Sequence, residues 1–308
     1  MIRIFSTAEN NTLKELSAIE DGAWIHLLDP TEQEIKKIVD ELNIEEDFVR
    51  AALDEEETPR TDYEDGATLI IVDIPIVKPE GVSFLYTTVP LGIIITEDNI
   101  VTVCLEETTL VEDFWNKRVR RFDTCKRTRF VLQILNKNAT KYLQYLRQID
   151  KLSTQVETAL HKSMKNRELI QMLKIEKSLV YFSTSLKSNE VTIEKILRGR
   201  VIKIYDEDQD LLEDVIIEIK QAIEMSNIYT SILSGTMDAF ASVISNNLNI
   251  VMKTLTSVTI MLSIPTIISS LYGMNVTWLP FNNFWFPTCL SIVAAGLVGV
   301  VLYKKKMF

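Results

Sequence analysis

From Thr254 to Tyr303 the chain runs for 50 residues without a single Asp, Glu, Lys or Arg. A soluble domain almost never goes that far without a surface charge, so this run belongs in hydrocarbon. It cannot be one spanning helix, because it is too long and because 272–283 holds Gly273, Pro280 and three Asn. Two spans result, 251–271 and 284–303, each close to the roughly 20 residues that cross a bilayer. Lys253 begins the first span, Lys304, Lys305 and Lys306 follow the second, and the loop has no basic residue. The positive-inside rule therefore expects a multi-pass protein of the cell membrane with both termini cytoplasmic and the 272–283 loop outside. Trp278, Phe281, Phe284 and Trp285 fit an aromatic belt at the outer surface.

The overall net charge is −10, but the last 60 residues carry four lysines and no acid, so the first 248 carry −14. Such a body is a poor match for nucleic acid, which needs clustered Lys and Arg. The one basic cluster, Arg118, Arg120, Arg121, Lys126, Arg127 and Arg129, alternates with apolar residues and reads as a solvated helix face. The cysteines (Cys104, Cys125, Cys289) lack metal-ligand spacing and read as buried reduced thiols. The start, MIRIFSTAEN, has neither the basic nor the apolar region of a signal peptide. His26, His161 and the acidic run 54–57 have no recognisable catalytic partner, so an enzyme is not expected. No G-x-x-x-x-G-K-[ST] loop is present, and no nucleotide is expected to drive the protein.

Residues 1–125 read as a cytosolic α/β domain. Strands are expected at 2–5, 23–28, 68–74, 84–96 and 99–105. Thr31 and Glu34 form a capping-box pattern that opens a helix to about Leu42, and a second helix follows over 45–53. Short turns between successive strands favour an antiparallel or mixed sheet with helices packed on it. Residues 126–205 read as a helical domain of long helices, with a turn near Ser188-Asn189 and a gap over 199–205. From 206 the helical pattern runs into the first span without a linker, giving a cytosolic stalk at 206–250. A helix over 206–271 would be about 100 Å long. It needs packing partners, and an oligomer of identical subunits follows. The tail, 304–308, is basic.

The first span carries a polar stripe. Asn249, Thr256, Thr259, Ser263, Thr266 and Ser270 are spaced so that they share one helical face. Such residues either glue helices together or line a pore. The second span has only Thr288 and Ser291, and otherwise apolar and small residues. The simplest arrangement places the first span around an axis and the second against lipid.

Beyond the stripe stands Tyr272-Gly273-Met274-Asn275. This YGMN between two C-terminal spans, the upstream NIVMKTLT (249–256) and the KKK tail resemble the CorA family of magnesium channels, over essentially the whole chain. The resemblance implies an α+β cytosolic domain, long stalk helices and two transmembrane helices, assembled as a funnel-shaped homopentamer. It implies Mg²⁺ as substrate and regulator, with Co²⁺ as an alternative ion. Tyr272, Gly273, Met274 and Asn275 would form the selectivity filter, five Asn275 amides gripping the ion through its own water shell. Gly273 would allow the tight turn there, and Tyr272 would brace it. Asn249, Met252 and Leu255 match the inner pore, Met252 and Leu255 forming an apolar gate. Thr266 matches a polar position further out, Asp238 the inner mouth, and Asp214 a regulatory carboxylate. Glu80 is the N-domain residue considered as its partner.

The chain departs from the pattern twice. No acidic residue follows the GMN, and Ser263 stands where a bulky apolar constriction is usual, so the gate would be confined to Met252 and Leu255. The expected function is passive, potential-driven Mg²⁺ influx gated by cytosolic Mg²⁺. The alternatives are the same architecture moving Co²⁺, Ni²⁺ or Zn²⁺, with or without proton coupling, and a membrane-anchored scaffold without conductance.

Overall fold

A computed structural model describes residues 1–8, 12–80, 83–163, 166–199, 201–274, 283–305 and 307. The chain forms two compact units, Met1–Ser234 and Gly235–Phe308.

Among the described residues, the first unit holds seven strands: β1 (Ile2–Thr7), β2 (Leu13–Leu16), β3 (Trp24–Leu28), β4 (Arg60–Glu64), β5 (Ala67–Glu80), β6 (Ser83–Ile95) and β7 (Ile100–Cys104). They form one sheet in the order β2-β1-β3-β7-β6-β5-β4. All neighbours are antiparallel except β3 and β7, which pair parallel from Trp24–Ile100 to Leu28–Cys104. The expected mixed sheet is present, and β5 and β6 form a longer hairpin than their apolar cores suggest. On β3 the alternation splits the layers. Ile25 and Leu27 join Ile35 and Ile38 of α1 (Glu32–Leu42) and Phe48 and Val49 of α2 (Glu46–Ala51) in one core. Gly92 sits under α2, where an added Cβ would lie 2.5 Å from the Ala52 Cβ. Trp24 faces the other way, into rings from Phe5, Phe114, Trp115, Phe122 and Phe130 at centroid distances from 5.0 to 6.1 Å. The Thr31–Glu34 capping box opens α1 as the sequence suggests, with both reciprocal bonds made.

That second face is covered by α3 (Thr109–Trp115), α4 (Arg127–Ser163) and α5 (Asn166–Leu197). The basic cluster is not one helix face. Residues 116–126 are a non-helical connection with Lys117 and Arg121 at positive φ, and only Arg127 and Arg129 lie on α4. Nor is there a turn at Ser188-Asn189: α5 runs through it, and Asn189 is fully buried. Its position follows from the sheet. The β4 pairing stops at Ile71, so the Asp73 N–H and carbonyl find no strand on that edge of β5. The Asp73 backbone is taken up by helix side chains instead. Asn189 Oδ1 accepts from its N–H at 2.9 Å, and Asn189 Nδ2, Asn138 Nδ2 and Tyr142 donate to its carbonyl. Burial pushes the Asp73 carboxyl up, opposed by a hydrogen bond from Ser185. Only Cys104 is a buried thiol; Cys125 and Cys289 are exposed, which corrects the sequence expectation.

The 64-residue helix α6 (Gln209–Tyr272) belongs to the first unit up to Ser234. There Leu212, Val215, Ile219 and Ala222 are buried along one stripe, and Ser226 donates to the Leu179 carbonyl of α5. The second unit comprises the rest of α6 and α7 (Trp285–Lys304).

Candidate ion pathway

Among the described residues, two helices are long and apolar enough to cross a membrane, one within 206–272 and the other Trp285–Lys304. Their apolar windows are only 6% and 11% buried within the chain. An apolar surface of this size needs lipid or further copies of the chain to cover it.

The face of α6 that meets α7 is defined by a few residues. The buried Ser257 hydroxyl donates to the Met307 carbonyl at 3.2 Å. Met261 is the neighbour an added Cβ on Gly299 would touch, at 3.8 Å. Ile264, Pro265 and Ile268 continue this half-buried side. At about 100° per residue these positions cluster around one direction. The stripe of Thr256, Thr259, Ser263, Thr266 and Ser270 lies roughly opposite, and all five are exposed. Asn249, Met252 and Leu255 continue it towards the N-terminal side, Met252 54% and Leu255 61% exposed. So the side of α6 left open by α7 is the one that carries the hydroxyls.

Those hydroxyls are oriented. Thr259 donates to the Leu255 carbonyl at 2.9 Å, Ser263 to Thr259 at 2.8 Å and Thr266 to Leu262 at 3.0 Å. Each proton is occupied by its own helix, which leaves oxygen lone pairs facing outward. Thr259, Leu262, Ser263, Thr266 and Ile267 border an open groove of about 460 Å³. Chemically, this surface accepts hydrogen bonds from water, including water held by a cation. Pro265 interrupts the ladder on the α7 side of the helix, where the Met261 carbonyl has no N–H partner four residues on.

At the end of α6, Gly273 donates to the carbonyls of Ser269 at 2.9 Å and Ser270 at 3.2 Å. Its φ is not in the left-handed region. The demand for glycine is proximity, since a Cβ there would stand 3.3 Å from the Ser269 carbonyl oxygen. The Tyr272 ring meets Phe286 of α7 at 6.3 Å. Met274 is exposed. Asn275 lies outside the described residues, as do Trp278 and Phe281.

Asp238 is exposed on α6, and its carbonyl accepts from Ser242. Asp214 is also exposed. Glu80 does not meet it; its carboxylate pairs with Lys174 at 3.1 Å. Among the described residues no three His, Cys, Asp or Glu side chains converge to hold a metal ion.

A family model described as CorA-like Mg²⁺ transporter protein matches residues 20–305. The cobalt/magnesium transport protein CorA of Methanocaldococcus jannaschii is 28% identical over 324 aligned positions, covering 99% of each chain. The magnesium transport protein CorA of Campylobacter jejuni subsp. jejuni is 24% identical and covers 92% of this chain and 90% of its own. The complete structure of the CorA magnesium transporter from M. jannaschii superposes with a TM-score of 0.82 at 23% identity, over 99% of this chain and 96% of that one. The fold is thus an α+β N-terminal domain, a long stalk helix and two apolar C-terminal helices. On the match across 20–305, the chain belongs to the CorA-like Mg²⁺ transporter family, whose members are ion transporters rather than enzymes.

Proposed function

We propose that this chain is the subunit of a homopentameric pore for passive influx of hydrated Mg²⁺. The observation that carries the reading is the outward hydroxyl face of α6 on the side that α7 leaves open. Copies of that face around an axis make a water-compatible wall. Mg²⁺ gives up its water shell reluctantly, so a wall of neutral acceptors suits the ion with its waters on. Met252 and Leu255, exposed on the same face, supply the apolar gate that excludes water when the copies close. Asn275 supplies the outer ring of amides, a role that rests on the family resemblance. A dication moving inward through 100 mV gains about 4.6 kcal/mol, which drives entry without a second energy source. Gating by cytosolic Mg²⁺ requires Asp214 to meet carboxylates of an adjacent copy.

Replacing Asn275 by Ala should abolish Mg²⁺ uptake into proteoliposomes while the oligomer keeps its mass. Undiminished uptake by that variant removes Asn275 from the filter. Co²⁺ is the second reading, supported by the cobalt/magnesium name of the M. jannaschii relative. Competition between Mg²⁺, Co²⁺ and Zn²⁺ in the same assay, with and without a proton gradient, ranks the ions. The hydroxyl stripe has no His or Cys, the side chains that soft and borderline ions prefer.

A further inference from the structure

Among the hydroxyls of the second unit's α6, Ser257 stands apart. Ser242, Thr254, Thr259, Ser263 and Thr266 each donate to the carbonyl one turn back on their own helix. The Ser257 proton instead goes to Met307, 50 positions further along the chain. Ser257 is also the one buried residue of α6 beyond Phe240: it is fully covered, while every residue from 241 to 256 is exposed.

Its partner lies just past the end of α7. Leu302 is buried there, and after Lys304 the chain curls back on the helix. The Lys305 N–H donates to the Val301 carbonyl at 3.0 Å and the Met307 N–H to the Leu302 carbonyl at 3.1 Å. Met307 is thus tied to α7 through its N–H and to α6 through its carbonyl. One residue clasps the two helices together.

The clasp sits at the height of Met252 and Leu255. Ser257 follows Leu255 by two residues and Met252 by five, about 3 and 7.5 Å along the axis. Around the axis it is about 160° from the first and about 140° from the second, so it lies behind the face they occupy. An apolar constriction stays dry only while its side chains are held close to their counterparts. A fixed backing at that height decides how firmly they are held.

We propose that Ser257 is a positioning residue for the gate. Its bond to the Met307 carbonyl braces α6 against the end of α7 and keeps the Met252–Leu255 stretch in register. This rests on the pore reading above and adds to it a hold on the gate from outside the pore. A serine that merely glues two helices would stabilise the fold without acting on ion leak.

The test uses the full-length protein in proteoliposomes at a fixed inside-negative potential, with millimolar Mg²⁺ on both sides and entry followed with ²⁵Mg²⁺. Ser257→Ala and Ser257→Val should each raise entry about fivefold, the shift that loss of one buried neutral hydrogen bond gives a two-state equilibrium. Ser257→Thr keeps the donor and should match the parent protein. Deleting Met307 and Phe308 removes the acceptor without altering α6, and should raise entry as Ser257→Ala does. The deletion combined with Ser257→Ala should add nothing further, because both remove the same bond. The ratio of Mg²⁺ to Co²⁺ entry should stay constant throughout, since the filter is at the other end of α6. Entry unchanged in Ser257→Ala, Ser257→Val and the deletion overturns the proposal. So does a leak in Ser257→Thr equal to that in Ser257→Val, or effects of the deletion and Ser257→Ala that multiply. A parent protein that admits no Mg²⁺ sinks the pore reading and the clasp with it, whereas a conducting parent with unresponsive variants sinks the clasp alone.

Discussion

His26 shows how a residue with functional potential becomes structural. It lies on β3, 2% exposed, with Nδ1 2.9 Å from the Thr102 hydroxyl and Trp24 and Trp115 beside its ring. Burial, with smaller contributions from the charges of Arg3 and the N-terminal amine, depresses its pKa to about 4 from 6.5. The unfolded chain therefore takes up the proton first as pH falls. Stability from the neutral imidazole is complete above pH 6.5 and is lost as pH falls through the folded value, by about 3 kcal/mol in all. In His26→Gln that part of the acid sensitivity should vanish. Thermal melts of both proteins between neutral pH and the folded pKa measure it, and parallel curves would contradict the assignment. Asn189 teaches the converse. A polar residue that reads as a turn marker in the sequence is a buried bracket for the Asp73 backbone, because the β4 pairing stops at Ile71 and leaves that edge of β5 without a strand partner.

At the scale of elements, α6 carries the functional argument. Its packing face towards α7 and its hydroxyl face lie on opposite sides, and both follow from a helical period acting on one uninterrupted run. Ser263 sits mid-stripe, its proton held by the Thr259 carbonyl. A leucine there would replace an outward acceptor by an apolar group and extend the dry stretch next to the Met252–Leu255 pair. Ser263→Leu should lower Mg²⁺ uptake about tenfold, as a dewetted constriction does, with the oligomer mass unchanged. Uptake equal to that of the parent protein would show that the stripe does not face the ion. Elsewhere the local signals differ in reach. The capping box at Thr31 and Glu34 formed as spelled, because both partners lie within one turn. The glycine- and proline-free 116–126 did not become helix, since the absence of breakers does not oblige a short basic segment to coil.

For the whole molecule, the decisive quantity is apolar surface. Ile217, Ile228 and Ile232 are exposed on α6 before the first span, and nearly all of both spans is uncovered by the chain itself. Lipid accounts for the spans but not for isoleucines outside them, which points to copies of the chain as their cover. In the proposed pore, uptake should rise with an inside-negative potential. It should be unaffected by a proton gradient imposed at zero potential. Flux measured into proteoliposomes with the potential set by a potassium gradient checks this, and dependence on the proton gradient alone would favour a coupled mechanism instead.

The two spans, their lysine flanks, the hydroxyl stripe and the capping box of α1 could be read from residues alone, because each depends on neighbours within a few turns or on the uniform demand of a bilayer. The parallel pairing of β3 with β7, the bracket at Asn189, the exposure of Cys125 and the bond from Ser257 to Met307 could not. Each joins segments distant along the chain, and one sequence states what a residue is able to do without stating which remote partner will be there to use it. The same division runs through the pathway: periodicity put the hydroxyls on one face of α6, and the docking of α7 on the other face left them open.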